Sequence, residues 1–194
     1  MMPNTLDSLP ATFAQRTAAK AGVSSTALHR HLKAGRIERI GRGLYQMADA
    51  APADPDLLAI AHRSHQGTIC LASALAHHGL IDDIPAAWDI AIPRGTTPPK
   101  LTNVRWHTFD QASFAIGRNL MTIPGTDRPV GLYSAERSIV DALRLRGYEG
   151  YETGIDALRA WLRRKGSNPS ALLTLAHELP RAQGPLREAL TYLS

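Results

Sequence analysis

Apolar positions in the first fifty residues fall at helical spacing in two short blocks and then change period. In "LPATFAQRTAAKAG" (residues 9–22), Phe13, Thr17 and Ala21 recur every four residues and predict a short helix that stops at Gly22. Ser24 is a good N-cap for a second helix, "STALHRHLKAG", in which Leu28 and Leu32 point inward and Val23 packs over its start. Ser25, Thr26, His29, Arg30 and Lys33 take the remaining faces, and Gly35 ends the helix. The pattern then shifts to short strands. In "RIERIGRGLYQM", residues 37–40 and 44–47 are expected to pair around Gly41-Arg42-Gly43. Ile37 and Ile40 differ in parity, which predicts a bulge. Two short helices followed at once by a hairpin are the grammar of a winged helix-turn-helix.

The pattern changes again after residue 48. "ADAAPADPDLL" is an Ala- and Pro-rich linker carrying three aspartates, and it places a boundary between residues 1–48 and 49–194. "PDLLAIAHRSHQG" predicts a helix with Leu57, Leu58 and Ala61 inward, and "TICLASALAHHGL" an extended lead-in and a helix from about Ala72. Four short strands are expected at residues 88–93, 104–109, 120–125 and 129–134. A helix capped by Ser134 follows, with Ile139, Val140 and Leu143 as its stripe, and then helices at 151–165, 170–177 and 185–193. The fold class is α+β: an N-terminal winged helix-turn-helix, a small mixed sheet packed with helices, and a helical C-terminal tail.

Charge gives the first block a purpose. The 194-residue chain carries a net charge of +5. Residues 1–46 hold seven basic side chains and two acids, so they account for that excess, while the remainder balances at fifteen of each sign. A basic block joined to a neutral one points to a polyanion-binding module, with a merely solvated basic face as the alternative. A helix held by two leucines fits the major groove, where Arg30 suits a bidentate guanine contact and Ser25, Thr26 and His29 could reach bases or phosphates. Lys33, Arg36, Arg39 and Arg42 better suit phosphates, which position a protein without specifying sequence.

Catalytic and metal chemistry find little support. The single cysteine, Cys70, lies in an apolar run and reads as a buried core thiol. His62 and His65 are three apart and His77 and His78 adjacent, but no acid or cysteine stands beside them at ligand spacing, so no metal is expected. "PRGTTPPK" lacks the spacing of a phosphate-cradling loop, and Ser73 and Ser134 lack a nucleophile's context. A nuclease would need acids and a lysine on one sheet edge; the chain offers Asp89 and Lys100 but no glutamate between the strands. We therefore expect no enzyme and no cofactor, with a nuclease-like enzyme as the alternative and a protein-only adaptor as a weaker one. Arg137 and Asp141, four apart, are expected to pair on the helix surface or half-buried and to lock the helix to the sheet, with a role in partner binding, together with Glu136, as the alternative. Arg163, Arg164 and Lys165 are expected to complement the dipole of the helix they end. The opening "MMPNTLDSLPATFAQ" lacks a basic start and an apolar run, and no apolar stretch approaches the roughly 20 residues of a membrane span, so a cytoplasmic protein is expected.

Three segments then fall into a familiar order: Arg42-Gly43-Leu44-Tyr45 in the hairpin, "SALAHHGL" (Ser73 to Leu80), and "YSAERSIVD" (Tyr133 to Asp141) within "YSAERSIVDALRLRG". Together they resemble the AbiEi antitoxins of bacterial abortive-infection toxin–antitoxin systems. The resemblance implies an autorepressor that binds double-stranded DNA at repeats in its own promoter through the N-terminal domain. It also implies a second domain opposing a cognate nucleotidyltransferase-type toxin, through a surface the residues do not identify. The chain has no Gly-Ser…Asp-x-Asp nucleotidyltransferase signature, which fits the antitoxin and not the toxin.

Overall fold

Phe13 decides how the chain begins. Instead of continuing a helix it lies opposite Tyr45 in a strand, β1 (Thr12–Ala14), and the first helix is only α1 (Gln15–Lys20). The expected helix over residues 9–22 is therefore too long. Its apolar face is centred on the fully buried Ala18, with Thr17 and Ala21 partly covered. The computed structural model describes residues 6–145, 147 and 151–193; Arg146, inside the last family-like segment, lies outside them. Gly22, at φ +83°, turns the chain into α2 (Ser25–Lys33), whose N-cap Ser24 accepts from the Ala27 amide at 3.2 Å. β2 (Ile37–Gly41) and β3 (Leu44–Met47) follow, with the expected irregularity between Arg39 and Gly41. The three strands form an antiparallel sheet in the order β1-β3-β2. Its core joins Leu6, Leu9, Phe13, Val23, Leu28 and Ile37, with Leu32 packed against it.

Asp54 caps α3 (Pro55–Arg63), accepting from the amides of Asp56 and Leu57 at 2.8 and 3.1 Å. The chain groups into two compact units. One holds the described residues up to His65 together with Met121–Val130; the other holds Gln66–Leu120 and the described residues from Gly131 onward. The first unit thus takes in α3 as well as the expected N-terminal domain. It is closed by the 121–130 segment, whose Gly125 carbonyl accepts from Thr12 Oγ1 at 2.7 Å.

His62 belongs to that closure, with Nε2 3.1 Å from Thr126 Oγ1. Burial pushes the imidazole down to about 4, Arg128 adds to the effect and Asp127 opposes it. In the unfolded chain the group titrates near 6.5. Between those values the unfolded state takes a proton that the folded state refuses. Stability is expected to be level above pH 6.5 on this group's account and to fall as pH drops toward 4. Denaturant titrations of His62→Gln should show a flatter pH profile over that window; a profile parallel to the parent's would contradict the assignment.

The second unit is built on a mixed five-stranded sheet. β4 (Thr68–Ile69) leads into α4 (Leu71–His77), followed by β5 (Trp88–Pro93), β6 (Val104–Phe109), the single turn α5 (Gln111–Phe114), β7 (Arg118–Met121) and β8 (Val130–Tyr133). The strand order is β6-β5-β4-β8-β7, with β4 antiparallel to β5 and parallel to β8. The expected strand at 120–125 lies earlier, because Ile123 is not a sheet residue: it is buried in the first unit's returning segment. α6 (Ala135–Arg144), α7 (Tyr151–Leu162), α8 (Pro169–Glu178) and α9 (Gln183–Tyr192) complete nine helices among the described residues. A helical core joins Leu75, Val140, Leu143, Leu158, Trp161 and Leu172. The α+β class and the helical tail are as expected. No helix among the described residues is long and apolar enough to cross a membrane.

Candidate nucleic-acid interface

α2 separates its residues cleanly. Leu28 is buried, Ala27, His31 and Leu32 are partly covered, and Ser25, Thr26, His29, Arg30 and Lys33 are all exposed. Residues 26, 29, 30 and 33 are three or four apart and so share one outward face. His31 is partly covered. Its imidazole is pushed below the ordinary range by burial first, then by Arg36 and Arg30, while Asp7 acts the other way. It adds no charge to the outward face at neutral pH.

The hairpin carries further exposed basic side chains. Arg42 stands exposed at its tip, between Gly41 and Gly43, and Gly43 (φ +66°) supplies the left-handed turn that an L side chain resists. Arg36 and Arg39 are also exposed, yet each already has a neighbour. Arg36 is 3.6 Å from the Asp7 carboxylate, with both side chains well exposed, so the pair is worth at most about 1 kcal/mol and can be exchanged for a phosphate. Arg39 Nε donates to the Gly41 carbonyl at 3.2 Å, which lays the guanidinium along its own strand. All eight expected residues thus lie exposed on one helix and the adjoining hairpin.

Sequence reasoning missed Arg63. Its guanidinium donates to the Arg42 carbonyl and brings a further positive charge to the base of the hairpin tip. Only its place in the last turn of α3 was readable; the contact spans 21 residues and leaves no local pattern.

The other family-like segments hold the second unit together. Ser73 Oγ accepts from the Asp89 amide at 2.8 Å. His78 Nε2 lies 2.7 Å from the Tyr133 carbonyl. The Tyr133 hydroxyl donates to the Phe114 carbonyl at 2.9 Å, and burial raises its pKa above the ordinary phenol value. Ser134 caps α6, accepting from the Arg137 amide. The Arg137–Asp141 pair, expected at or near the surface, is fully buried. Arg137 Nε donates to Asp141 at 2.8 Å, its Nη1 to the carbonyls of Ser113 and Ile116, and its guanidinium lies 4.4 Å over the Tyr133 ring. Nε and Nη1 find partners and Nη2 finds none, so the ion pair, the two carbonyls and the Tyr133 ring together hold the buried charge. Arg144 Nε reaches the same carboxylate at 2.6 Å. Arg164 does not serve its own helix: its Nη2 donates to the carbonyls of His78 and Gly79 at the end of α4.

Asp89, the acid of the nuclease alternative, is fully buried. Its carboxylate accepts from Arg105 at 2.9 Å, lies 2.9 Å from His107 Nε2 and 3.4 Å from Ser73 Oγ. Lys100 is not among these partners and is exposed. An acid saturated in this way is a structural anchor.

With the geometry established, comparison with known proteins gives two findings. Residues 13–48 match the family model described as the AbiEi antitoxin transcriptional regulator, the family expected from the sequence. The matched segment covers β1, both helices and the hairpin. The crystal structure of the RV2827C protein from Mycobacterium tuberculosis is similar in fold, with a TM-score of 0.51 over 94% of this chain and 76% of that one, at 14% identity. No curated protein matches the chain.

Proposed function

We propose that this protein is a DNA-binding transcriptional autorepressor and the antitoxin of a bacterial toxin–antitoxin system. The family match over residues 13–48 supports the regulator and antitoxin reading. The observation that supports DNA binding is the joint exposure of Ser25, Thr26, His29, Arg30 and Lys33 on α2 and of Arg36, Arg39 and Arg42 around the hairpin that follows it. α2 enters the major groove of repeats in the gene's own promoter, with Arg30 reading a guanine and its neighbours on the helix sharing base and phosphate contacts. The hairpin arginines follow the backbone. In this division of labour residues 1–48 read DNA, and residues 49–194 oppose a nucleotidyltransferase-type toxin in the cytoplasm. No catalytic step and no cofactor is required of the chain.

The test is a gel-shift titration of the purified protein on DNA upstream of its own gene, with bulk competitor, at several salt concentrations. If about four phosphates are neutralised, log affinity should fall against log salt with a slope of roughly −3.6, at about −0.9 per phosphate. Binding that bulk competitor removes completely, or a slope near zero, would refute the reading.

A further inference from the structure

The second unit contains a cleft of about 380 Å³ that the proposed function does not use. Its walls come from separate parts of the chain. Arg94 follows β5, Trp106 and Phe109 stand on β6, Arg144 ends α6, and Arg181 lies in the turn between α8 and α9. Their charges do not cancel. Arg144 shares the Asp141 carboxylate with Arg137, which sits behind the Phe109 and Ser113 wall, so two guanidiniums face one acid. Arg94 has a partner in Asp110 at 3.2 Å, an exposed pair open to exchange. Arg181, also in the wall, adds a further cation. Among the residues that line the cleft, three guanidiniums therefore stand against one carboxylate, that of Asp110. His107 also lines it, within hydrogen-bonding distance of Asp89.

One further observation marks this wall as built for an occupant. Arg181 holds φ at +57°, a conformation that side-chain residues avoid and that tends to persist where function requires it.

We propose that this cleft binds a small molecule through a phosphate monoester. The donor set decides the class. A carboxylate is planar and is satisfied by one guanidinium fork, whereas three arginines from distinct elements line the cleft here. That arrangement suits a group with three terminal oxygens, and the two excess positive charges suit a dianion. The site is separate from the α2 surface and stands whether or not the chain binds DNA.

The experiment is calorimetric titration and thermal unfolding of the full chain with inorganic phosphate, ribose 5-phosphate, adenosine monophosphate, adenosine and citrate. We expect saturable binding and a raised melting temperature for the phosphates, and neither for adenosine or citrate. Equal affinity for inorganic phosphate and the esters would make the free ion the ligand and overturn the ester assignment. In Arg181→Gly the lost guanidinium should weaken the ester by about tenfold or more. That variant relieves the left-handed strain, so its fold is retained and its melting temperature without ligand should not fall. No saturable binding of any phosphate at millimolar concentration, or an affinity unchanged in Arg181→Gly, would overturn the proposal.

Discussion

Asp141→Ala is expected to lower stability by about 4 kcal/mol, within the range of about 3–5 for breaking a buried ion pair by removing one partner. The carboxylate is fully buried and is the shared acceptor of Arg137, which is itself fully buried, and Arg144, which is nearly so. Its removal leaves two guanidiniums facing each other in a low-dielectric interior. The carbonyls of Ser113 and Ile116 still hold one of them in place, so retreat to water requires opening the wall around α5. For a chain of this size the loss corresponds to a drop of roughly 10 °C in melting temperature. Arg137→Lys should also be costly, because one ammonium cannot reach the acid and both carbonyls at once. Thermal unfolding followed by near-ultraviolet circular dichroism tests both. A shift of only a degree or two for Asp141→Ala would mean that the pair is dispensable.

The second large effect is on DNA, and it separates two kinds of contact. Arg30→Ala should cost about 1–3 kcal/mol on the operator and relax preference at one base position, as loss of a bidentate base contact does. Arg42→Ala should weaken operator and non-operator DNA alike and reduce the magnitude of the salt slope by about 1. Both side chains are exposed and neither belongs to the core, so folding should be unaffected. Binding curves on operator and scrambled duplexes at two salt concentrations distinguish the cases. If Arg42→Ala changed sequence preference and Arg30→Ala did not, the roles assigned to helix and hairpin would be reversed.

How much of this was legible in the sequence depended on distance along the chain. The bounds of β5 and β6 and the cap at Ser134 were readable, because alternation and capping are local signals. The α2 face and the hairpin were readable for the same reason. Phe13 misled because helical spacing with Thr17 and Ala21 says nothing of Tyr45, its partner 32 residues away. Ile123 misled because strand-like composition does not reveal which core will bury a residue. The depth of Arg137 was hidden because its partners Ser113 and Ile116 precede it by more than twenty residues. The eight side chains of the proposed interface could be picked out by type and spacing, and all are exposed. The tie from Arg36 to Asp7 and the arrival of Arg63 at the hairpin depend on folding alone.

The chain leaves the first unit after His65, returns at Met121 and leaves again after Val130. A chimera that grafts only a contiguous N-terminal block would therefore carry Thr12 Oγ1 without the Gly125 carbonyl and His62 without Thr126. Each missing acceptor leaves a partly or fully buried polar group unsatisfied. Exchanging the DNA-reading portion between related proteins thus means moving two separated stretches of gene together, and a recombination event inside the intervening stretch would break what it appears to transfer whole.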